Sequence, residues 1–220
     1  MGTITRTFAN NITTSGVFKP TAFNDASFDN VTAVPEGALP AGGSMVLLST
    51  QTASASASIS FTTGIDSTYK EYMFMFNDIH PSNYDSHLQF NLSTDGGSNY
   101  NVTKTTTFFK LAHTGPSDAV FWGYETGTDL AQSTNYQTVL VAISNANEGS
   151  GAGYLRLFNP SSDTYVKHFI SDSHTLVGGP FAHRNFLAGY ANTTSPINAI
   201  DFKPSVGTID AGTIQMFGIL

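Results

Sequence analysis

The sequence predicts an all-β protein: an antiparallel β-sandwich or jelly roll carrying an extended N-terminal arm. Three observations lead there. Tyr69–Ile79 is the most apolar run in the chain, and it is short, aromatic and closed by the turn residues His80-Pro81-Ser82-Asn83, which marks a buried strand rather than a helix. From Met45 onward, turn residues recur at intervals of about ten, the spacing of sandwich strands. No segment shows a convincing helical period.

Residues 1–44 read as the arm. Their apolar side chains are sparse, and Phe8, Phe18, Phe23 and Phe28 are spaced through polar sequence before the Pro- and Gly-punctuated linker Val34–Gly43. Such a segment buries too little to fold alone, but it can lay single phenylalanines into a partner's grooves. Those four residues are the candidate anchors.

Residues 45–220 read as the sandwich. Met45–Ser49 and Ser56–Thr62 are short strands, the second facing Ile59 and Phe61 inward. In Tyr69–Ile79, Tyr72, Phe74 and Phe76 share one face and Met73 and Met75 the other. A strand apolar on both faces belongs mid-sheet, covered on its second side by a neighbouring subunit or by loops. In Ser86–Thr94, Leu88, Phe90 and Leu92 point in, while His87, Gln89, Asn91 and Ser93 point out. Asp95–Asn99 reads as a hairpin turn, its glycines supplying positive φ, with the Thr-rich strand Asn101–Leu111 returning from it. Ala119–Tyr124 and Tyr136–Ile143 follow, and Tyr154–Phe158 pairs back across the loop Asn145–Gly153. Tyr165–Ser171 places Val166, His168 and Ile170 on one face. Asn185–Asn192, Pro196–Phe202 and Gly212–Leu220 complete the set. The last, ending without a polar tail, is expected to be paired on both edges with Phe217 in the core.

Composition narrows the function. Charged residues are 11% of the chain, against about 25% in ordinary globular proteins, and their place is taken by Thr, Ser, Asn and Gly. This suits assembled or extracellular β proteins. The net charge of −7 leaves no basic stripe to neutralise phosphates, so no nucleic-acid partner is expected. Without cysteine, neither disulfides nor thiolate metal sites can form. No signal peptide and no run of about 20 apolar residues is visible, so membrane insertion is not expected. The Asn-x-Ser/Thr triplets at Asn11, Asn30, Asn91, Asn101 and Asn192 are read as chance in an Asn/Thr-rich chain.

No catalytic signature stands out, and a non-enzymatic protein without cofactor or metal is expected. The six histidines, among them His80 before a proline and His168 on a strand, lack metal-ligand spacing and read as structural. Neither a Gly-x-Ser-x-Gly elbow nor a phosphate loop occurs. Asp66, Asp78, Asp85 and Asp118 sit in or near loops, but nothing in their spacing pairs them as glycosidase carboxylates. Asp95 among glycines lacks the ligand pattern of a calcium loop and reads as part of the turn. Trp122, with Phe121 and Tyr124 beside it, has two readings: a core residue, or with Tyr124 a platform for stacking on a sugar ring.

The phrases Asp66–Ile79, Leu92–Tyr100 (Leu-Ser-Thr-Asp-Gly-Gly-Ser-Asn-Tyr) and Ala211–Ile219 (Ala-Gly-Thr-Ile-Gln-Met-Phe-Gly-Ile) resemble the C-terminal β-sandwich modules of tailed-phage virion proteins, particularly fibre and head-decoration proteins of marine phages. Asn24–Thr32 is similar to the polar N-terminal stretches such proteins use for attachment. The resemblance implies a homotrimer on the particle surface, made in the host cytoplasm and joined to capsid or tail proteins through the arm. It carries over no catalytic residue. The expectation is a virion structural protein, either capsid decoration or fibre, with a host-surface glycan receptor module as the alternative.

Overall fold

The structure is a computed structural model that describes residues 44–115, 119–179 and 181–220. The expected arm, with Phe8, Phe18, Phe23 and Phe28, lies outside the described residues except for Ser44. Twelve strands occur and no helix is found among the described residues. They are β1 (Met45–Thr52), β2 (Ile59–Phe61), β3 (Glu71–Pro81), β4 (Ser86–Ser93), β5 (Lys104–Thr114), β6 (Ala119–Tyr124), β7 (Gln137–Ile143), β8 (Gly151–Phe158), β9 (Lys167–Val177), β10 (Phe181–Ala191), β11 (Ala199–Pro204) and β12 (Ile209–Ile219). Eight form one sheet in the order β1-β12-β3-β8-β9-β10-β5-β6, and four form the other, β2-β11-β4-β7. Every ladder is antiparallel.

The core lies between the sheets. Tyr72, Phe74 and Phe76 of β3 lie on the large-sheet side with Ile214 and Met216 of β12, Leu155 and Leu157 of β8, Phe169 of β9 and Phe108 of β5, and all are buried. They face Ile59, Phe61, Leu88, Phe90, Leu92, Ile200 and Phe202 of the small sheet. Phe202 joins the layers, its ring centroid 5.5 Å from that of Phe74, 5.3 Å from Phe76 and 6.3 Å from both Phe61 and Phe90. Burying each such ring stabilises by roughly 1.5–3 kcal/mol from area, and each edge-on aromatic pair adds about 0.5–1.5 kcal/mol.

β3 lies mid-sheet between β12 and β8, as its two-faced apolar pattern requires. β12 is hydrogen-bonded on both edges, to β1 and β3. Phe217, however, is not in the core. Register pairs Met216 with Phe74 and Phe217 with Met73, so Ile214 and Met216 point inward while Phe217 is half-buried on the outer face. The third inward position of β12 is Gly218, and the Tyr69 ring fills its space: a Cβ there would come within 2.4 Å of it.

Two expected pairings do not form. β4 lies in the small sheet and β5 in the large one, so Asp95–Asn99 is a crossover between sheets rather than a hairpin turn. The turn chemistry itself is present: Gly96 and Gly97 have φ of 72° and 90°. The Asp95 carboxylate accepts from Ser93 Oγ (2.6 Å), Asn99 N (2.9 Å) and Asn99 Nδ2 (2.7 Å), and these bonds, led by Ser93, hold its pKa down to about 2. Likewise β8 pairs with β3 and β9 while β7 pairs with β4. Turn residues show where the chain reverses, not which layer the next strand enters.

One facial assignment changes as well. Asn91 and Ser93, expected outward, are buried. Asn91 donates to the carbonyls of Tyr100 (2.7 Å) and Thr134 (2.9 Å), which lie in loops over the small sheet. On β9 the face shared by His168 and Ile170 is the exposed one, and Lys167 and Phe169 point inward.

Candidate functional site

The outer face of the large sheet is the feature the core does not explain. Alternation places on it Leu47 of β1, Phe217 of β12, Met73 of β3, Ile170 of β9, Phe186 of β10, Phe109 and Leu111 of β5 and Val120, Trp122 and Tyr124 of β6, with Arg156 and Tyr154 of β8, Asp172 of β9 and Arg184 of β10 set between them. Leu47 is 52% exposed, Val120 72% and Trp122 77%. Large apolar side chains gathered on one exposed face in this way mark an interaction site rather than the scattered exposure normal for a monomer.

The charges on this face neutralise one another. Arg184 pairs with Asp172 at 2.6 Å and lies 4.7 Å from the Phe186 ring centroid. Arg156 pairs with Glu71 and lies 5.4 Å from the Phe158 centroid. Each guanidinium thus covers an aromatic ring and carries its own counter-ion, leaving no net field to oppose apolar contact. Shallow apolar troughs mark the face, one of about 300 Å³ between Leu111, Trp122 and Arg184, another of about 370 Å³ between Phe109, Tyr154 and Phe186.

β6 is an edge strand of this sheet, and Trp122 is on its outer face opposite Leu111. The core reading of Trp122 is therefore incorrect. The local run Val-Phe-Trp-Gly-Tyr would suit either surface, and only the position of β6 at the edge decides. Tyr124 lies opposite Phe109, ring centroids 5.2 Å apart, and its hydroxyl donates to Asp129 Oδ2 at 2.6 Å. That bond raises the hydroxyl's pKa. Phe121 faces the other way, with Lys110 Nζ 5.5 Å from its ring. The structure thus brings Trp122 and Tyr124 together on one exposed surface. Asp118, also singled out in the sequence, lies outside the described residues.

A further trough, of about 450 Å³, is polar and lies over the small sheet between Gln89, Asp129, Tyr136 and Lys203. Lys203 Nζ stands 3.9 Å from the Tyr136 ring centroid, and the Tyr136 hydroxyl donates to Asp201 at 2.9 Å. Burial, then this bond, raises the Tyr136 pKa. Two histidines are structural as expected: His80 Nδ1 bonds Gly149 O at 2.5 Å, and His87 Nδ1 accepts the Ala142 N–H at 2.7 Å.

Sequence reasoning missed two buried lysines. Lys104 and Lys167 flank Ala191 in the ladder β9-β10-β5, and both are 0% exposed. Lys167 Nζ donates to the carbonyls of Tyr165 (3.0 Å) and Thr193 (3.2 Å). Lys104 Nζ donates to Asn91 Oδ1 (2.5 Å) and Val102 O (2.8 Å). Burial pushes the Lys104 pKa down to about 7 and lowers that of Lys167. The signal was legible in part, since alternation puts Lys104 on the face of Val102, Thr106 and Phe108, and Lys167 on that of Phe169. No family model and no curated protein matches the sequence.

Proposed function

We propose that the protein is a non-enzymatic structural component of a tailed-phage virion, attached through residues 1–44 and displaying a homotrimeric β-sandwich as capsid decoration or fibre. The observation that carries the reading is the apolar outer face of the large sheet, with its charges paired internally, on a chain otherwise sparing in charge. That surface suits burial against other copies. The virion assignment rests on the resemblance of the Asp66–Ile79, Leu92–Tyr100 and Ala211–Ile219 phrases. Light scattering on the purified chain should give a trimer, and Phe109→Lys with Leu111→Lys should reduce it to monomers, because each buried, unpaired ammonium costs several kcal/mol. Deleting residues 2–40 should leave the trimer intact and abolish binding to particles lacking the protein. A monomeric parent, or undiminished particle binding by the deletion, would overturn the corresponding half of the proposal.

One observation favours a second reading, a module that binds a host-surface glycan. Trp122 is 77% exposed beside Tyr124, and a bare aromatic pair next to the hydrogen-bonded Asp129 can stack on a sugar ring and bond its hydroxyls. Trp122→Ala should abolish binding to host cells while shifting stability by no more than about 0.5 kcal/mol, as for other exposed positions. Unchanged cell binding by the variant would remove the site.

A further inference from the structure

We propose that Lys104 and Asn91 form an intramolecular amide crosslink that ties the large sheet to the small one. Asn91 lies on β4 and Lys104 on β5, strands of different layers. Both side chains are 0% exposed, and Nζ stands 2.5 Å from Oδ1. The amide is fixed from every side. Its Nδ2 donates to the Tyr100 and Thr134 carbonyls at 2.7 and 2.9 Å, and its Oδ1 also accepts the Leu92 N–H at 2.8 Å. An amine held at hydrogen-bond distance from the oxygen of a fixed amide in a dry site approaches the condition under which slow reactions become effectively unimolecular.

The amine is also in a reactive state. Its two partners are uncharged carbonyl oxygens. Burial, with no carboxylate beside it, brings its pKa to about 7, so a large share is free base at neutral pH. In the reaction Nζ adds to Cγ, and the Leu92 N–H stabilises the negative charge that grows on Oδ1. The Cγ–Nδ2 bond then breaks. The proton lost from Nζ leaves on Nδ2, and ammonia departs. No oxidant or co-reactant is needed. In a chain without cysteine, such a bond would be the covalent staple that a disulfide supplies elsewhere.

Intact mass spectrometry of the denatured full chain tests this. The expected mass lies below the sequence mass by one ammonia, and digestion should yield a branched peptide joining the Asn91 and Lys104 segments. Lys104→Arg and Asn91→Ala should each show their full sequence masses. A parent chain at full sequence mass after prolonged incubation at pH 8 would overturn the proposal. So would an ammonia loss that persists in Lys104→Arg, since a succinimide on an asparagine would then explain it.

Discussion

His87 is a side chain whose protonation the fold opposes directly. Its Nδ1 accepts the Ala142 N–H, so the neutral ring must carry its proton on Nε2, and charging it sacrifices that bond. Burial lowers its pKa; Asp85 pulls the other way and Lys110 adds to the depression. His183 is lowered too, again mainly by burial, and its Nδ1 is buried without a partner. A base whose folded pKa lies below its unfolded value, about 6.5 for histidine, takes up its proton more readily in the unfolded chain. Stability is therefore fully present above the unfolded value and is lost as pH falls through it towards the lower folded pKa. In thermal melts between pH 8 and 5.5, the Tm of the parent should fall relative to that of His87→Gln below about pH 6.5, on top of the fall from pH 8 towards 7 that the depressed Lys104 contributes to both. A Tm that rises on acidification would contradict this assignment. Alternation alone put His87 outside, and the sequence gives no hint that its ring reaches the β7 backbone.

The strands were legible because each carries its own period, and each of the twelve segments picked out by alternation and turn residues overlaps a strand, with ends shifted by several residues in β5, β9 and β10. Which face of a strand enters the core was less legible where both faces are apolar. β12 shows why. Ile214 and Met216 alternate against Phe217 and Ile219, and only pairing with β3 decides between them, because Tyr72, Phe74 and Phe76 already own the inner side. Met216→Ala should then cost about 2–5 kcal/mol, cavity included. Phe217→Ala, on the half-buried outer face, should cost on the order of 1 kcal/mol. Urea denaturation at concentrations where the chain is monomeric would rank them, and a larger loss for Phe217→Ala would show the register to be wrong. Pairing partners were not legible at all for β4, β5, β7 and β8, since a loop that crosses between layers uses the same Gly, Asn and Ser as one that doubles back.

At the scale of the molecule, the candidate surface was hardest to read. Leu47, Phe217, Ile170, Phe109 and Trp122 are far apart in the chain and become one surface only when β1, β12, β9, β5 and β6 take their places in a single sheet. The expectation that β3 would need cover on its second face pointed at that surface without showing its extent. Among the described residues, the same sheet ends in two strands with nothing hydrogen-bonded beyond them, β1 with the sequence Met-Val-Leu-Leu-Ser-Thr-Gln-Thr and β6 with Ala-Val-Phe-Trp-Gly-Tyr. Neither has a charge or a proline, the devices by which edges usually refuse partners. The sheet therefore has a head and a tail that can each accept a strand. Neighbouring strands rotate by about 20–25°, so across eight strands the head is turned from the tail by roughly 140–175°. Copies joined head to tail could not lie flat. They would wind, and the pitch set by that rotation would decide whether the winding closes on itself after a few copies or runs on as a helical filament.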